Sequence, residues 1–268
     1  MKNIESISLP GALRLRILET YNAANAGHIA CSLSCIDLLI ASFIHNTGAA
    51  DTFILSKGHA AVSLYVSMME KGLLSDEEMA TYYKNGTSLT AHPAPNRFKA
   101  VPLATGSLGH GLPFGVGVAK AEKMKNNDAI VQVLMSDGET NEGTTWEAAH
   151  FARQQKLDNL LVIIDKNQLQ GFGTTADVLG DTCSPEQWLS LGFEVHETDG
   201  HDVETNTALI AKLKKEKNGK PKVIIAHTIK GKGVSFMQNR LEWHYNPMNK
   251  EQFEEAMEEV KKNYSTAK

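Results

Sequence analysis

The runs Ala129 to Met135 and Leu160 to Ile164 are apolar, and each is followed at once by oxygen-bearing residues. Asp137 stands after the first, and Asp165 with Asn167 after the second. A carboxylate, an amide oxygen and a backbone carbonyl are hard ligands that suit Mg²⁺ or Ca²⁺ rather than zinc. Mg²⁺ held so sparingly by protein completes its octahedron with phosphate oxygens and water, which implies a diphosphate ligand. A single Asp-Gly after an apolar run is an ordinary turn dipeptide. The second oxygen-bearing turn, with 28 residues (139 to 166) between Gly138 and Asn167, is what turns the pattern into a site.

Another cluster invites a metal reading. His28, Cys31 and Cys35 recur at one-turn spacing, but a structural zinc site needs four ligands, and Cys183 has no partner near it in sequence. Buried helical thiols are the better account. Three cysteines, an odd number, argue against a disulfide framework and agree with a reducing compartment.

The elements that must position these residues follow from periodicity. Leu13, Ile17 and Tyr21, then Leu33, Ile36, Leu38, Leu39 and Phe43, have helical spacing on either side of the break Asn25 to His28. Beyond them, Phe53 to Leu55, the two runs above, Phe193 to Val195 and Val223 to Ala226 alternate with helical stretches, among them Thr145 to Lys156. Such alternation predicts an α/β fold, a mainly parallel sheet flanked by helices on both faces. Ser75 to Glu78, before Met79 to Tyr82, and Ser184 to Gln187 are capping boxes that start helices. Residues 1–268 are expected to form one domain with a helical N-terminal arm and a charged C-terminal helix over Lys250 to Lys262.

Parallel strands deliver their following residues to one edge, where open α/β sheets bind ligands. Those residues are Ser56 to His59, Ser136 to Glu139, Asp165 and Asn167, Asp199 to Asp202, and His227. Other classes recede. A formal charge of −4 gives no footprint for nucleic acid, and the basic run Lys212 to Lys222 reads as a solvated helix end and loop. No stretch is apolar enough to span a bilayer, and the first residues lack an apolar signal core, so a cytoplasmic protein is expected.

Asp137-Gly138, the 28-residue interval and Asn167 resemble the thiamine diphosphate motif, which begins Gly-Asp-Gly and ends in Asn. Further stretches resemble the N-terminal, diphosphate-binding half of transketolase in the same order: "GHIACSLSCIDLL" from Gly27, "DTFILSKGHAAVSLY" from Asp51, "AHP" from Ala91, "GSLGHGLPFGVGVA" from Gly106, "TDGHD" from Thr198 and "KGKGV" from Lys230. The resemblance runs from about Gly11 to Trp243. It implies that Asp137, Asn167 and the Leu169 carbonyl bind Mg²⁺, with Ca²⁺ a possible substitute. His28, His59 and His92 would stand around the thiazolium and the donor sugar's hydroxyls. His59, Gly106, Ser107, Leu108, Gly138, Glu139, Asn167 and His244 would bind the cofactor, and Gly143 with the start of its helix could add backbone donors. Lys57 and Lys230 are left open between phosphate contact and surface coating.

Three departures bear on specificity. The first glycine of the metal motif is Ser136, the Pro-Gly-Gly that often follows the first histidine is Ile29-Ala30-Cys31, and the glutamine of the glycine loop is His110.

Within that family, a glutamate that activates the aminopyrimidine lies in a second, pyrimidine-binding domain. The resemblance covers only the first half, so this chain is expected to be the N-terminal subunit of a split transketolase. Its partner would be a separate C-terminal subunit carrying the pyrimidine-binding domain, in a heterotetramer. The expected reaction is transfer of a two-carbon ketol unit from a ketose phosphate or related ketose derivative to an aldose acceptor. Two alternatives share the motif: the α subunit of a 2-oxo-acid dehydrogenase, and a degenerate module that binds thiamine diphosphate without turnover. "SKGHA", "TDGHD" and "KGKGV" stand against the dehydrogenase.

Overall fold

The structure, a computed structural model, describes residues 7–95 and 98–267. In chain order the elements are α1 (Leu9–Ala24), α2 (Ile29–Leu39), β1 (Thr52–Leu55), α3 (Ala61–Glu70), α4 (Asp76–Met79) and α5 (Gly111–Met124). There follow β2 (Val131–Ser136), α6 (Gly143–Gln154), β3 (Leu160–Lys166), α7 (Thr175–Leu179), α8 (Pro185–Ser190), β4 (Glu194–Asp199), α9 (Val203–Leu213), β5 (Lys222–His227) and α10 (Lys250–Asn263).

The five strands form one parallel sheet in the order β1-β2-β3-β5-β4. Side chains of a strand alternate between faces, and here each face has its own core. Leu160, Val162 and Ile164 of β3 pack with Leu112 and Val116 of α5, Ala149 of α6 and Trp188 of α8. Leu161 and Ile163 point the other way, into the larger core with α1, α2, α3, α9 and α10. Every residue from Leu160 to Ile164 is at most 2% exposed, a burial that stabilises by about 1.5–3 kcal/mol per side chain. A strand covered on both faces reads as a continuous apolar run, which is why β2 and β3 were legible.

Local signals end the helices where the sequence indicates. Pro10 sits in the first turn of α1, and Asn25 closes it in the left-handed region at φ 47°, its N–H reaching the Tyr21 and Asn22 carbonyls. Ser75 and Ser184 cap α4 and α8 as capping boxes. Among the described residues no helix is long and apolar enough to cross a membrane.

Some boundaries are corrected. The helix begun at Ser75 stops at Met79 and gives way to turns before Tyr82, while α6 starts at Gly143 and ends at Gln154. The basic run is also not wholly solvated. Lys222 opens β5 and is 1% exposed, its ammonium donating to the Asp158 and Glu216 carbonyls at 2.7 and 2.8 Å. A long aliphatic stem buried with its head on backbone oxygens satisfies both halves of the side chain.

Candidate cofactor and metal site

The pairing of β2 with β3 sets Ser136 opposite Asp165, so the turns after these strands emerge side by side. Between them opens a cavity of about 220 Å³, lined by His28, His59, His92, Gly106, Leu108, Asp137, Gly138, Asn167, Leu169 and His244. Cys31, Ser136, Lys230, Tyr245 and the segment Gln170 to Phe172 complete its wall. Ten residues singled out in the sequence thus meet in one place. Ser107 and Glu139 do not line it, and neither does Gly143, which begins α6.

The Asp137 carboxylate is buried and, among the described residues, held by neutral donors only. Its Oδ1 accepts the Gly138 N–H at 2.8 Å; its Oδ2 accepts the Gln168 N–H at 2.7 Å and the Thr175 hydroxyl at 3.2 Å. Burial first, and the Asp165 charge second, raise its pKa above the ordinary carboxylate value. A buried carboxylate without a cation hydrogen-bonded to it is a costly arrangement that a bound metal ion relieves. Asn167 stands beside it, its Oδ1 accepting the Leu169 N–H at 3.1 Å and its amide donating to Ser34 Oγ at 3.1 Å. Carboxylate, amide oxygen and the Leu169 carbonyl form a donor set that fits a hard divalent ion.

Four imidazoles cluster in the same wall. His28 has ring-centroid separations of 5.8 Å from His59, 5.7 Å from His92 and 5.2 Å from His244. Burial, then neighbouring charges, lowers His28 to about 4 and His244 to about 3 and pushes His59 down as well, and burial lowers His92. All are therefore neutral near pH 7, each with one donor and one acceptor nitrogen. Lys230 fixes one tautomer: its ammonium can only donate, so at 2.8 Å His244 Nδ1 accepts. The same ammonium donates to the Leu169 carbonyl at 3.0 Å.

His28 heads α2 with φ 71°, a left-handed backbone that a side chain adopts at a cost. Its N–H donates to the His244 carbonyl at 3.1 Å, which couples the two histidines through the main chain. Gly106 has φ 139°, and a Cβ there would stand 2.8 Å from His92 Cδ2, so only glycine lets this loop pass the ring.

Beneath the cavity lies a polar brace that sequence reasoning missed. Lys57 and Asp165 form an ion pair with neither side chain exposed, and Ser34 Oγ donates to Asp165 Oδ1 at 2.7 Å while the Thr228 hydroxyl donates to the same oxygen. Asp165 therefore belongs to the floor rather than to the cavity wall. Lys57 and Lys230 are 0% and 1% exposed, which removes the surface-coating reading for both. Glu139 braces from another side: its oxygens accept from Ser56 Oγ at 2.5 Å, Gly109 N at 3.1 Å and Ser136 N at 3.0 Å. It ties the Gly106 loop to the turn that carries Asp137.

The departures separate. Cys31 and Ser136 line the cavity, Cys31 Sγ lying 3.7 Å from His244 Nδ1, whereas exposed His110 turns back onto its own loop carbonyls. Cys35 is buried, its thiol donating to the Cys31 carbonyl at 3.4 Å, and Cys183 is buried in the opposite core. Among the described residues no group of three or more His, Cys, Asp and Glu side chains is arranged to hold a metal ion.

Comparison with known proteins gives a concordant answer. The family described as "Transketolase, thiamine diphosphate binding domain" matches residues 8–266. An apulose-4-phosphate transketolase subunit of Phocaeicola vulgatus is 40% identical over 256 residues, covering 92% of this chain and 90% of that protein. A 6-deoxy-6-sulfo-D-fructose transketolase subunit of a Clostridium species is 33% identical over 259 residues, covering 93% and 94%. Among solved structures, the transketolase of Campylobacter jejuni superposes with a TM-score of 0.83 at 27% identity, covering 96% of this chain. The chain spans 43% of that longer transketolase.

Proposed function

The chain belongs to the transketolase thiamine diphosphate-binding domain family, and on that premise we propose that it holds thiamine diphosphate through a divalent metal ion as the N-terminal subunit of a two-subunit transketolase. The observation that carries the reading is the meeting of Asp137, Asn167 and the Leu169 carbonyl with four neutral histidines in one cavity at the ends of β2 and β3. Relatives of similar length that are named as transketolase subunits support a separate partner.

Bound thiamine diphosphate would supply a carbanion equivalent that takes up and passes on a two-carbon ketol unit. The protein's own part is orientation and charge. Asp137, Asn167 and the Leu169 carbonyl would hold a divalent ion, Mg²⁺ by their donor chemistry, that would offset the diphosphate charge, and the Lys230 ammonium adds positive potential beside them. Neutral His28, His59 and His92 each offer a donor and an acceptor to hydroxyls and protons in transit, while His244, its Nδ1 taken by Lys230, offers its Nε2–H. The relatives' names describe ketoses with an anionic group, a 4-phosphate in one and a 6-sulfo group in the other, and the donor proposed here is a ketose of that class.

The test is metal-dependent binding of thiamine diphosphate by this chain reconstituted with its partner subunit. Asp137→Ala is expected to abolish it, and ketol transfer with it; tight binding retained by the variant would refute the assignment. Recovery of a stoichiometric partner with a pyrimidine-binding domain, by pull-down and mass spectrometry, tests the two-subunit reading.

A further inference from the structure

The segment "TDGHD", residues 198–202, sits at the edge strand and lines no part of the cavity, yet it is tied to it. His201 Nδ1 lies 2.7 Å from Asp37 Oδ2, and its Nε2 lies 2.8 Å from the Ile229 nitrogen. A backbone N–H can only donate, so Nε2 is the acceptor and the proton of the neutral ring is on Nδ1, facing Asp37. Asp37 is fixed in turn by Arg14, whose two terminal nitrogens donate to its two oxygens at 2.8 and 2.5 Å. Arg14 and Asp37 side chains are 0% and 3% exposed, and His201 is 10% exposed. Although burial opposes the charged form, the Arg14 guanidinium and the His201 hydrogen bond leave the Asp37 pKa lowered, so the acceptor stays ionised.

Ile229 precedes Lys230, and the same turn is pinned further on: Gly231 N–H donates to the Ala30 carbonyl at 3.0 Å, and Arg14 Nε to the Lys232 carbonyl at 3.0 Å. Arg14 therefore holds the turn directly at one end and through Asp37 and His201 at the other. The Lys230 ammonium projects from its middle, between the Leu169 carbonyl and His244 Nδ1.

We infer that His201 is a positioning residue: fixed by Asp37 with its proton on Nδ1, it accepts the Ile229 N–H and thereby sets the Lys230 ammonium against the Leu169 carbonyl and His244. A partner that orients a ligand from outside the site commonly controls affinity by about 10–100-fold.

Two substitutions separate the halves of the imidazole. His201→Asn keeps a donor where Nδ1 faces Asp37 and removes the acceptor for Ile229; His201→Gln carries an amide oxygen to the position of Nε2. In the full chain labelled with ¹⁵N-histidine, long-range proton–nitrogen spectra should show His201 as the neutral Nδ1–H tautomer. An imidazolium or Nε2–H pattern at neutral pH overturns the inference. The His244 Nδ1 resonance should move in His201→Asn and return towards the wild-type position in His201→Gln. A His244 resonance untouched by His201→Asn also overturns it. Should His201→Asn fail to fold, the wild-type tautomer and His201→Gln still decide.

A second arm rests on the function proposed above. Titrating Mg²⁺ and thiamine diphosphate into the chain with its partner subunit should show roughly tenfold weaker binding for His201→Asn, with recovery in His201→Gln. Unchanged affinity in His201→Asn counts against the inference. If the wild-type protein binds no thiamine diphosphate, the proposed function fails, while the His244 resonance still judges the role of His201.

Discussion

Lys57 and Asp165 form an ion pair in which both side chains are 0% exposed, directly under the cavity that Asp137 and His28 line. Burying two charges is favourable only while each keeps the other, and removing one partner of such a pair costs about 3–5 kcal/mol. Lys57→Met should therefore lower stability by about that amount in urea unfolding, and Lys57→Met with Asp165→Leu should recover most of it. Equal stabilities for Lys57→Met and wild type would show that the pair does not brace the floor. The sign of the acid dependence is also set. Burial raises the Asp165 pKa, but Lys57 and the hydrogen bonds outweigh it and the net shift is downward. Its contribution is thus complete above the ordinary carboxylate value of about 3.9 and is lost as pH falls through the lower folded value.

His28 and His244 bring a second acid dependence at higher pH. Their folded values, about 4 and about 3, lie below the ordinary value of about 6.5, because burial and then neighbouring charges oppose the imidazolium. Between those limits the unfolded chain binds more protons than the native one, so stability present above pH ~6.5 erodes as pH falls towards 4. Urea midpoints should drop between pH 7 and 5, and less steeply in His28→Gln. An NMR titration of His28 with its midpoint at the ordinary value would remove the basis for this prediction.

Gly27 lies against the carbonyl of Tyr245: a Cβ there would stand 2.2 Å from that oxygen. Backbone cannot move aside as a flexible side chain can, so Gly27→Ala must push the 244–245 segment away from His28. We expect a loss of about 1–3 kcal/mol in stability, together with weaker binding of thiamine diphosphate. A crystal structure of Gly27→Ala with the His28 N–H still on the His244 carbonyl would contradict this.

Phe172 is 86% exposed and Tyr245 53% exposed, both at the mouth of the cavity. Large apolar side chains left open beside a site mark a contact surface, and under the proposed function the occupant is the pyrimidine-domain partner. Phe172→Glu should weaken assembly with that partner by about tenfold or more in sedimentation analysis, a change of ~1.4 kcal/mol. Met124→Glu, 71% exposed at the end of α5 and outside the cavity wall, should leave assembly unchanged. Equal effects of the two substitutions would place the contact surface elsewhere.

Chain order and residue type were enough to predict the parallel sheet and the edge at which Asp137, Asn167 and His59 gather, whereas His28 and His92 were expected there only from the resemblance to transketolase. Strand period, helix caps and chain direction are local properties, and parallel strands carry whatever follows them to a common edge. The same reading marked Glu139 and Lys222, yet nothing local told that Glu139 turns inward to tie two loops or that Lys222 is buried at the start of a strand. The brace under the site and the chain through Asp37 and His201 came into view only with the folded molecule. Lys57 meets Asp165 across 108 positions, and His201 meets Asp37 across 164. A charged residue in a one-dimensional sequence reads as solvated until folding shows what stands opposite it, because the free energy of a buried charge depends on its partner and not on its neighbours in the chain.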